Sequence, residues 1–480
     1  MKKHWPLIIL IVLYFSFIAY KLVAHPTPFY DWDESLYVQT GKEMIEQKKF
    51  LLPVWQGAYW LDKPPLIPLI YGIIIKLSFS LPAEITTRLF NLTIACLVLI
   101  LVYIFYQKII KNSLFATLVT AITALTPLFL QRAQTVNLDI FILLSWIGYV
   151  LFFSNFWISL FFFFIGVMAK SLIGFYPVAI MFFYQLWQLF TKKTSWEKSK
   201  KIFLRIVVQT SIMMLWFVAM FMVFGKQFWL QHIIESHFRR VTSSIEFHFG
   251  QRIFYITEAF DQMGYFFWLA IVGGLIIFLR LLKEKRPGKE MLISFYLLPW
   301  FIFLNLTKTK IFWYFLPAIP QFAFLAVVWI KQIKVKSLAI TLGIFLLVIL
   351  IYQSFIKQNV LAITYSKPEP YYYLSLYAKG RCSELNVLMD KSSRESFATL
   401  DKLGLLITTT KWWGNHPSMV YYFGKKVNYI FEESTFTAKI KSVAKEDCFM
   451  IDKNDQSLID NKKLIDLKNF DDFYLYKTSP

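Results

Sequence analysis

The sequence predicts an α-helical protein that crosses a membrane many times and ends in a small α/β domain. Three observations predict this fold class: 57% of the 480 residues are hydrophobic, only 17% are charged, and the apolar residues form long blocks. Soluble domains average roughly 45–50% apolar and roughly 25% charged residues. The composition excludes a disordered chain and a soluble multidomain enzyme, so lipid is the predicted solvent for most of the chain.

Eleven apolar runs predict transmembrane helices. They lie at residues 6–24, 84–107, 113–130, 136–153, 155–169, 171–190, 203–224, 263–282, 290–306, 312–330 and 337–357. A helix needs roughly 20 residues to cross the hydrocarbon, and no backbone group can stay unpaired there. The first run follows the basic start Met1–His4 and lacks a small-residue cleavage site, which predicts a retained anchor rather than a signal peptide.

The basic residues predict the orientation of the spans. With the N-terminus inside, the inside segments carry 18 Lys and Arg and three acids. The outside segments before residue 358 carry 16 basic and 12 acidic residues over far longer loops, which matches the positive-inside rule. We therefore expect a multi-pass protein of the inner or plasma membrane with a cytoplasmic N-terminus. The loops 25–83 and 225–262 and the C-terminal region are expected to be external.

The net charge of +21 does not indicate nucleic acid as a partner. Residues 358–480, the tail, carry 17 basic and 15 acidic side chains, so the excess lies among the spans, where membrane topology explains it. We divide the chain into a transmembrane domain, 1–357, whose first loop (25–83) holds interfacial helices, and an external soluble α/β domain, 358–480. Membrane lipids are therefore expected partners.

Short β-like runs and two cysteines characterise the tail. The runs lie at residues 385–389, 405–409, 419–423, 426–431, 448–452 and 473–476. Three cysteines in the chain exclude a disulfide scaffold, but Cys382 and Cys448 can pair if their side of the membrane is oxidising. The stretch Trp412–His416 either recognises a sugar or acceptor, or packs in the core.

The first loop carries the strongest local pattern. Apolar positions after Asp33 and Glu34 are spaced as on an amphipathic helix lying in the membrane interface. One interpretation is a helix with Asp33 as its N-cap; another is a carboxylate that acts as a general base at the membrane surface. Asp31 and Asp33 also form a D-x-D pair, which is a weak indication of a metal site.

A second pattern in the first loop is Asp62-Lys63-Pro64-Pro65. The two prolines end one segment and begin the apolar stretch 66–79, which holds Asp62 and Lys63 at the turn. Lys63 either extends to the lipid headgroups or holds a phosphate.

Ionisable residues recur at the predicted outer ends of separate spans. They are Arg88, Asp139, Lys170, His237, Arg239, Arg240, Lys308 and Lys310. An ionisable group in hydrocarbon costs about 2.5–3.5 kcal/mol, so each one needs a partner or a water-filled cavity. Taken singly, each is explained as an anchor or a member of an ion pair. Taken together, so many cations at one face indicate a phosphate diester or diphosphate ligand at the headgroup level.

These segments, in this order and spacing, resemble the C-type glycosyltransferases of the protein-O-mannosyltransferase superfamily, whose bacterial branch includes the aminoarabinose transferases acting on lipid A. The resemblance covers roughly residues 1–335. Its segments are Asp33-Glu34 with Tyr37, Leu61-Asp-Lys-Pro-Pro, Thr87-Arg-Leu, Asn137-Leu-Asp139, Met168-Ala-Lys170, His237-Phe-Arg-Arg240 and Lys310-Ile-Phe-Trp-Tyr-Phe-Leu-Pro.

The resemblance implies that a sugar moves from a polyprenyl-phosphate donor to an external lipid, protein or glycan acceptor, with inversion of the anomeric centre and no nucleotide cofactor. Asp33 would match the catalytic carboxylate, with Glu34 beside it. Lys63, Arg88, Lys170 and Lys310 would face the donor phosphate. Asp62 and His237 would help to hold a divalent metal ion, and Asp139, Arg240 and Tyr37 would complete the pocket.

The sequence departs from the family pattern at three positions. Leu36 stands where some relatives have Arg, Ser171 follows Lys170 where Gly is frequent, and Asp62 stands where Glu is frequent. The first two departures concern the donor phosphate, and the third concerns the metal.

Two other functions are open at this stage: a transporter or flippase for an anionic lipid-linked sugar, and a non-catalytic assembly or receptor component. Transport needs a path to the other side of the membrane, whereas the charges favour one face and no internal repeat is visible. Transfer at an external face needs an activated donor other than a nucleotide sugar, cations for the leaving phosphate and a base for the acceptor.

Overall fold

The structure is a computed structural model that describes residues 4–78, 80–283, 290–333, 335–357, 368–442, 446–459 and 464–478. The chain forms two compact units. Unit 1 comprises Met1–Pro26, Ile85–Leu230 and Phe249–Tyr365, and unit 2 comprises Thr27–Glu84, Gln231–His248 and Ser366–Pro480. The predicted domain boundary at residue 358, most of the basic cluster 280–289, Lys334 and residues 1–3 before the predicted N-terminal anchor lie outside the described residues.

Unit 1 is helical throughout its described part. Its α-helices are Trp5–Ala24, Ala83–Ile110 (which begins in unit 2), Ser113–Leu125, Pro127–Gln134, Asp139–Leu151, Phe156–Lys170, Tyr176–Phe190, Trp196–Phe224, Lys226–Phe228, Phe254–Met263, Tyr265–Lys283, Glu290–Leu306, Ile319–Val327 and Lys336–Ile351. Segments of 3₁₀-helix span Ser171–Phe175, Phe312–Ala318 and Val328–Gln332, and π-helices span Trp229–Arg239, most of which belongs to unit 2, and Tyr352–Lys357.

The helices confirm a polytopic helical membrane protein but not the count of eleven spans. Among the described residues, six helical segments are long and apolar enough to cross a membrane, or eight if each of two bent pairs is one span. The predicted runs 136–153 and 290–306 form the shorter apolar helices Asp139–Leu151 and Glu290–Leu306. The runs 155–169 and 171–190 lie in one long segment, Phe156–Phe190.

Unit 2 combines the first loop with most of the tail. Its α-helices are Asp33–Glu46, Leu66–Leu77, Arg240–Thr242, Pro370–Ala378, Lys391–Lys402, Ser418–Phe423 and Glu433–Lys441. Segments of 3₁₀-helix span Thr410–Trp412 and Lys453–Leu458. The first loop also holds a short hairpin of strands β1 (Val54–Trp55) and β2 (Ala58–Tyr59).

Two glycines bring the first-loop helices together. A Cβ on Gly41 would lie 2.0 Å from the Pro68 carbonyl oxygen, and a Cβ on Gly72 would lie 2.1 Å from the Gly41 carbonyl oxygen. The helices Asp33–Glu46 and Leu66–Leu77 therefore touch backbone to backbone. This contact fixes the start of one helix relative to the Pro65 N-cap of the other, and so positions Asp33 and Lys63 within one rigid pair.

The tail forms a five-stranded sheet of β3 (Leu385–Leu388), β4 (Val427–Ile430), β5 (Cys448–Asp452), β6 (Leu464–Phe470) and β7 (Phe473–Thr478). The strand order is β4-β3-β5-β7-β6, with β3 parallel to β4 and β5 and the remaining pairs antiparallel. Buried Phe436 and Phe449 lie in the core on one side of the sheet. This confirms a small α/β domain, and Cys382 and Cys448 are joined by a disulfide.

Two of the predicted β runs are wrong. Residues 419–423 form the helix Ser418–Phe423, which begins after Pro417 and ends at Gly424 with a φ of 75°. Proline before and glycine after a short segment are helix boundary signals, and they prevail here over the β propensity of the two tyrosines. Residues 405–407 are irregular and residues 408–409 form a turn, because their polar groups bond to residues 235–246 rather than to a neighbouring strand.

Candidate active site

The predicted site residues fall into both units. Unit 2 contains Asp33, Glu34, Tyr37, Asp62, Lys63, His237 and Arg240; unit 1 contains Arg88, Asp139, Lys170 and Lys310. Each unit is therefore described separately.

Asp33 is the first residue of the helix Asp33–Glu46 and not, as predicted, its N-cap. Trp32 takes the N-cap position with a φ of 71°, a backbone conformation that residues other than glycine rarely adopt. One turn into the helix, Tyr37 donates its hydroxyl to Asp33 Oδ1 at 3.3 Å. The Asp33 carboxylate thus lies at the positive end of a helix, oriented by a neighbouring hydroxyl and adjoining a strained residue.

Glu34 and Asp31 form hydrogen bonds near the start of the helix Asp33–Glu46. The buried Glu34 carboxylate accepts the backbone N–H of Tyr30 at 2.8 Å. Asp31 faces the tail, where its oxygens lie 3.1 Å from His416 Nδ1 and 3.0 Å from the backbone N–H of Ser418. The Asp31 carboxylate therefore bonds to the tail. As a result, the D-x-D pair does not offer two carboxylates for a metal ion.

Asp62 is buried between the first loop and the tail. The Thr409 hydroxyl donates a hydrogen bond to Asp62 Oδ2, whereas Asp62 Oδ1 is buried with no hydrogen-bond partner among the described residues. Burial raises the pKa of this carboxyl, and the Thr409 hydroxyl and the positive charge of Lys63 oppose the rise. Lys63 is thus within electrostatic reach of Asp62, as the sequence pattern Asp62-Lys63-Pro64-Pro65 leads one to expect.

Two histidines of the π-helix Trp229–Arg239 bond to backbone carbonyls. His232 Nδ1 lies 2.6 Å from the Leu61 carbonyl oxygen, and His237 Nδ1 lies 2.7 Å from the His232 carbonyl oxygen. Because a carbonyl only accepts, each Nδ1 must carry the proton, and Nε2 of a neutral ring keeps the lone pair. His237 therefore bonds to His232, and His232 bonds to Leu61, the residue before Asp62. The sequence analysis missed His232.

Arg240 forms an ion pair with Glu246, a second residue that the sequence analysis missed. Arg240 Nη2 donates to Glu246 Oε2 at 2.9 Å, and the Thr410 hydroxyl donates to Glu246 Oε1 at 2.7 Å. Burial alone would raise the pKa of Glu246, but Arg240, Thr410 and His248 lower it below its usual range. The Glu246 carboxylate is therefore ionised and held at both oxygens.

His248 links Glu246 electrostatically to Asp33. Burial and the Arg240 charge lower the pKa of His248, while the charges of Glu246 and Asp33 oppose this. Unit 2 thus places the carboxylates of Asp33, Asp62 and Glu246 among basic groups of the first loop and of residues 231–248. The only sequence signal for Glu246 and His248 is that they follow Arg240 closely in a loop rich in charged residues.

Trp413 of the tail packs among three tryptophans of the first loop. Its ring meets those of Trp32, Trp55 and Trp60 edge-on, with centroids 6.3, 6.0 and 6.3 Å away. Trp413 is only 3% exposed, so it serves as core packing rather than as a platform for a sugar. The cluster also includes Tyr37, whose ring lies 6.2 Å from Trp60, so the tail supports the residue that orients Asp33.

In unit 1, Lys170 and Asp139 form a buried ion pair. Lys170 Nζ lies 2.5 Å from Asp139 Oδ1 and 4.5 Å from the centroid of the Tyr314 ring. Asp139 is the first residue of its helix, and Asn137 two residues earlier accepts the backbone N–H of Ile140 at 3.0 Å. Both predicted pocket residues are present, but each neutralises the other.

Lys310 and Arg88 are also buried in unit 1. Lys310 Nζ donates to the carbonyl oxygens of Leu304 and Asn305 at 3.0 and 2.9 Å, at the end of the helix Glu290–Leu306. Arg88 lies in the second turn of the helix Ala83–Ile110 and is 2% exposed. Lys310 therefore satisfies a helix terminus, which is a structural use of its charge.

Arg132 is a further buried cation of unit 1 that the sequence analysis missed. Its guanidinium lies 4.4 Å from the centroid of Trp313, and its carbonyl oxygen accepts the side-chain amides of Asn91 and Asn137, each at 2.7 Å. A usable signal was present, because Arg132 is an ionisable residue next to an apolar run.

The described residues contain no complete set of ligands for a divalent metal ion. They include no group of three His, Cys, Asp or Glu side chains placed to hold one. Asp62 Oδ1 is buried with no hydrogen-bond partner among these residues, and His237, whose Nδ1 bonds to a backbone carbonyl, keeps the lone pair of Nε2, but no third ligand accompanies this pair. The metal site at Asp62 and His237 stays a prediction, and no step below uses a metal.

Comparison with known proteins gives one family match. The family model of dolichyl-phosphate-mannose-protein mannosyltransferases matches residues 7–233. A protein of Aquifex aeolicus (strain VF5) is 26% identical over 372 residues, which cover 73% of this chain and 68% of that protein.

Three solved structures share the fold. ArnT from Cupriavidus metallidurans bound to undecaprenyl phosphate matches with a TM-score of 0.67 and 13% identity, over 99% of this chain and 98% of ArnT. The apo state of the same ArnT matches with a TM-score of 0.66 and 12% identity, over 98% and 97% of the chains. An Archaeoglobus fulgidus oligosaccharyltransferase in complex with Zn and sulfate matches with a TM-score of 0.57 and 14% identity, over 93% of this chain and 68% of that one.

Proposed function

We propose that this chain belongs to the protein-O-mannosyltransferase and ArnT superfamily of glycosyltransferases and transfers a sugar from a polyprenyl-phosphate carrier to an external acceptor, with inversion of the anomeric centre. The observation that carries the proposal is the charged cluster of unit 2. There the Asp33 carboxylate, at a helix start, shares one folded unit with Lys63 and with the Glu246–Arg240 pair. A carboxylate near several cations is the inventory that this reaction needs.

The proposed reaction uses Asp33 as the base. A hydroxyl or amine of the acceptor attacks the anomeric carbon and gives its proton to the Asp33 carboxylate, whose orientation Tyr37 maintains. The bond from the anomeric carbon to the phosphate oxygen breaks on the opposite side, and the polyprenyl phosphate leaves. Lys63 of unit 2 is the proposed contact of that phosphate, because cations stabilise the charge that develops on it.

The remaining predicted cations have secondary roles in this proposal. Lys170 and Lys310 already donate to acceptors within unit 1, so the proposal gives them structural roles and no contact with the donor. Glu34 stabilises the start of the helix Asp33–Glu46, because it accepts the backbone N–H of Tyr30. The proposal assigns Arg240 to the donor pocket of unit 2 together with Lys63, and Asp139 keeps Lys170 in place within unit 1.

A polyprenyl phosphate is the carrier that best suits the fold. The structure of ArnT from Cupriavidus metallidurans contains undecaprenyl phosphate, and it matches almost the full length of this chain. The acceptor remains one of three classes: lipid, protein or glycan.

The outer face of the cell membrane is the proposed location of unit 2. The excess of basic residues in the predicted inside segments supports this orientation. The Cys382–Cys448 disulfide supports it independently, because disulfides persist in oxidising compartments and are rare in the cytosol.

The release of undecaprenyl phosphate tests the function whichever sugar and acceptor the chain uses. Membranes that contain the full chain are incubated with a panel of undecaprenyl-phosphate sugars, and the freed carrier is measured by mass spectrometry. We expect release with at least one sugar, and a loss of about 10²–10⁴-fold in Asp33→Asn, because an amide cannot take the proton. Lys63→Ala should weaken release at low donor concentration by about tenfold or more.

Matched variants in the same loop control these measurements. Asp31→Asn should keep turnover, because an asparagine Oδ1 still accepts the Ser418 backbone N–H that attaches the tail, and Lys49→Ala should keep it because Lys49 lies against Tyr59. Equal losses in Asp31→Asn and Asp33→Asn would favour a paired D-x-D site instead. Full release by Asp33→Asn would rule out Asp33 as the base.

A further inference from the structure

Three consecutive threonines of the tail each donate a hydroxyl hydrogen bond to a different carboxylate. Thr408 bonds to Glu235 at 2.9 Å, Thr409 bonds to Asp62, and Thr410 bonds to Glu246 at 2.7 Å. We call Thr408–Thr410 the threonine run. Its acceptors come from two separate parts of the chain, the first loop and residues 231–248.

The backbone just before and at the start of the threonine run is held by residues 235–246; the N–H of Thr408 donates to Glu235 Oε2 at 2.9 Å. The N–H of Glu246 donates to the Leu405 carbonyl oxygen at 3.3 Å, and Arg239 Nη1 donates to the Leu406 carbonyl oxygen at 3.0 Å. Thr409 and Thr410 are 0% and 2% exposed, whereas Thr408 is exposed. The two inner hydroxyls therefore cannot exchange their carboxylate partners for water without moving the segment.

The two inner threonines set the orientation of their carboxylates. Thr409 bonds one oxygen of Asp62, and the other oxygen is buried with no hydrogen-bond partner among the described residues. Thr410 and Arg240 bond different oxygens of Glu246. The first contact fixes a carboxylate beside Lys63; the second fixes the anion that holds the Arg240 guanidinium.

We propose that Thr409 and Thr410 are positioning residues of the transfer site: Thr409 orients Asp62 beside Lys63, and Thr410, through Glu246, orients Arg240 toward the donor phosphate. The inference rests on the proposed function. It makes the tail, which carries no predicted site residue, a working part of the enzyme.

Valine variants of the full chain, purified in detergent, test the proposal, because valine keeps the shape of threonine and removes the hydroxyl. Thr410→Val should raise the Kd for undecaprenyl phosphate, followed by tryptophan fluorescence, by about tenfold, since a charge-assisted hydrogen bond is lost. Thr409→Val should lower kcat by about tenfold at saturating donor. Thr408→Val is the matched control and should stay within about twofold, because Glu235 keeps the backbone N–H of Thr408.

Serine variants and a double variant separate positioning from simple stabilisation. Thr409→Ser and Thr410→Ser keep the hydroxyl and should restore kcat and Kd. Arg240→Lys combined with Thr410→Val should bind undecaprenyl phosphate no more weakly than Arg240→Lys alone, because both act on one guanidinium. Two outcomes would overturn the proposal. One is that the losses of affinity for undecaprenyl phosphate in Arg240→Lys and Thr410→Val add up in the double variant. The other is that the valine variants lose only thermal stability, while the folded protein has the kcat and Kd of Thr408→Val.

The outcome also distinguishes this proposal from the function on which it rests. If the wild-type chain releases no undecaprenyl phosphate from any donor, the proposed function fails. If the wild type is active, Asp33→Asn is inactive, and the Thr409 and Thr410 variants equal Thr408→Val, only the positioning role fails.

Discussion

Charged side chains are held in different ways in the two units. In unit 2, the carboxylates of Asp33, Asp62 and Glu246 receive hydroxyl hydrogen bonds from tyrosine or threonine. In unit 1, Lys170 donates to the Asp139 carboxylate, and Lys310 donates to two backbone carbonyls.

The difference indicates which unit carries the chemistry. A hydroxyl orients a carboxylate without cancelling its charge, so Asp33 and Asp62 stay available for a proton or a cation, whereas Glu246 is also paired with Arg240. A lysine that is buried against a carboxylate or a helix terminus is already neutralised or satisfied. We therefore expect substitutions in unit 2 to change turnover, and substitutions at these lysines of unit 1 to change stability.

The buried ion pair is the strongest test of this difference. Lys170→Met leaves the Asp139 carboxylate buried without its cation, which should cost about 3–5 kcal/mol of stability. Thermal unfolding of the purified full chain in detergent measures the loss. The double variant Asp139→Leu/Lys170→Met should recover most of it, because no unpaired charge remains. A Lys170→Met protein of normal stability that binds undecaprenyl phosphate weakly would instead assign Lys170 to the donor.

Lys310 should show a smaller effect of the same kind. Lys310→Met removes both hydrogen bonds to the end of the helix Glu290–Leu306, and loss of such charge-assisted bonds costs about 1.5–3 kcal/mol. The exposed Lys308, two residues earlier, provides the control: Lys308→Met should change the unfolding temperature little. Turnover corrected for folded protein should stay near that of wild type, and a large loss would show that the comparison fails at Lys310.

The smallest expected effect is a pH dependence of stability at His248. Its pKa in the folded chain lies below the usual 6.5, through burial and the Arg240 charge, against the opposing charges of Glu246 and Asp33. The unfolded chain therefore binds the proton first, and stability should fall as the pH drops through about 6.5. The unfolding temperature of His248→Asn should fall less than that of wild type between about pH 7.5 and 5.5. An identical pH response would contradict the assigned shift.

The sequence predicted the parts of the site that rely on local spacing. The pattern after Asp33 predicted the helix that carries it, and Asp62-Lys63-Pro64-Pro65 predicted the turn before the next helix. The backbone strain at Trp32 and the glycine contact between the two helices were not predicted, because each depends on how the chain packs rather than on periodicity.

The contacts of the tail could not be predicted from local patterns. The threonines around residues 405–409 favour β structure, which is why a strand was expected there, but their hydroxyls meet carboxylates far away in the sequence. Glu246 and His248 were overlooked for the same reason, as nothing next to them in the sequence indicates Thr410 or Asp33.

The sequence by itself determined that this chain is a helical membrane protein with its acids and bases grouped in loops and at span ends, because hydrophobic runs and charge placement are local properties. Only the tertiary structure decided which charges stay open and which are neutralised. That choice depends on partners such as Asp62 and Thr409, which are separated by 347 residues and meet only when the chain has folded.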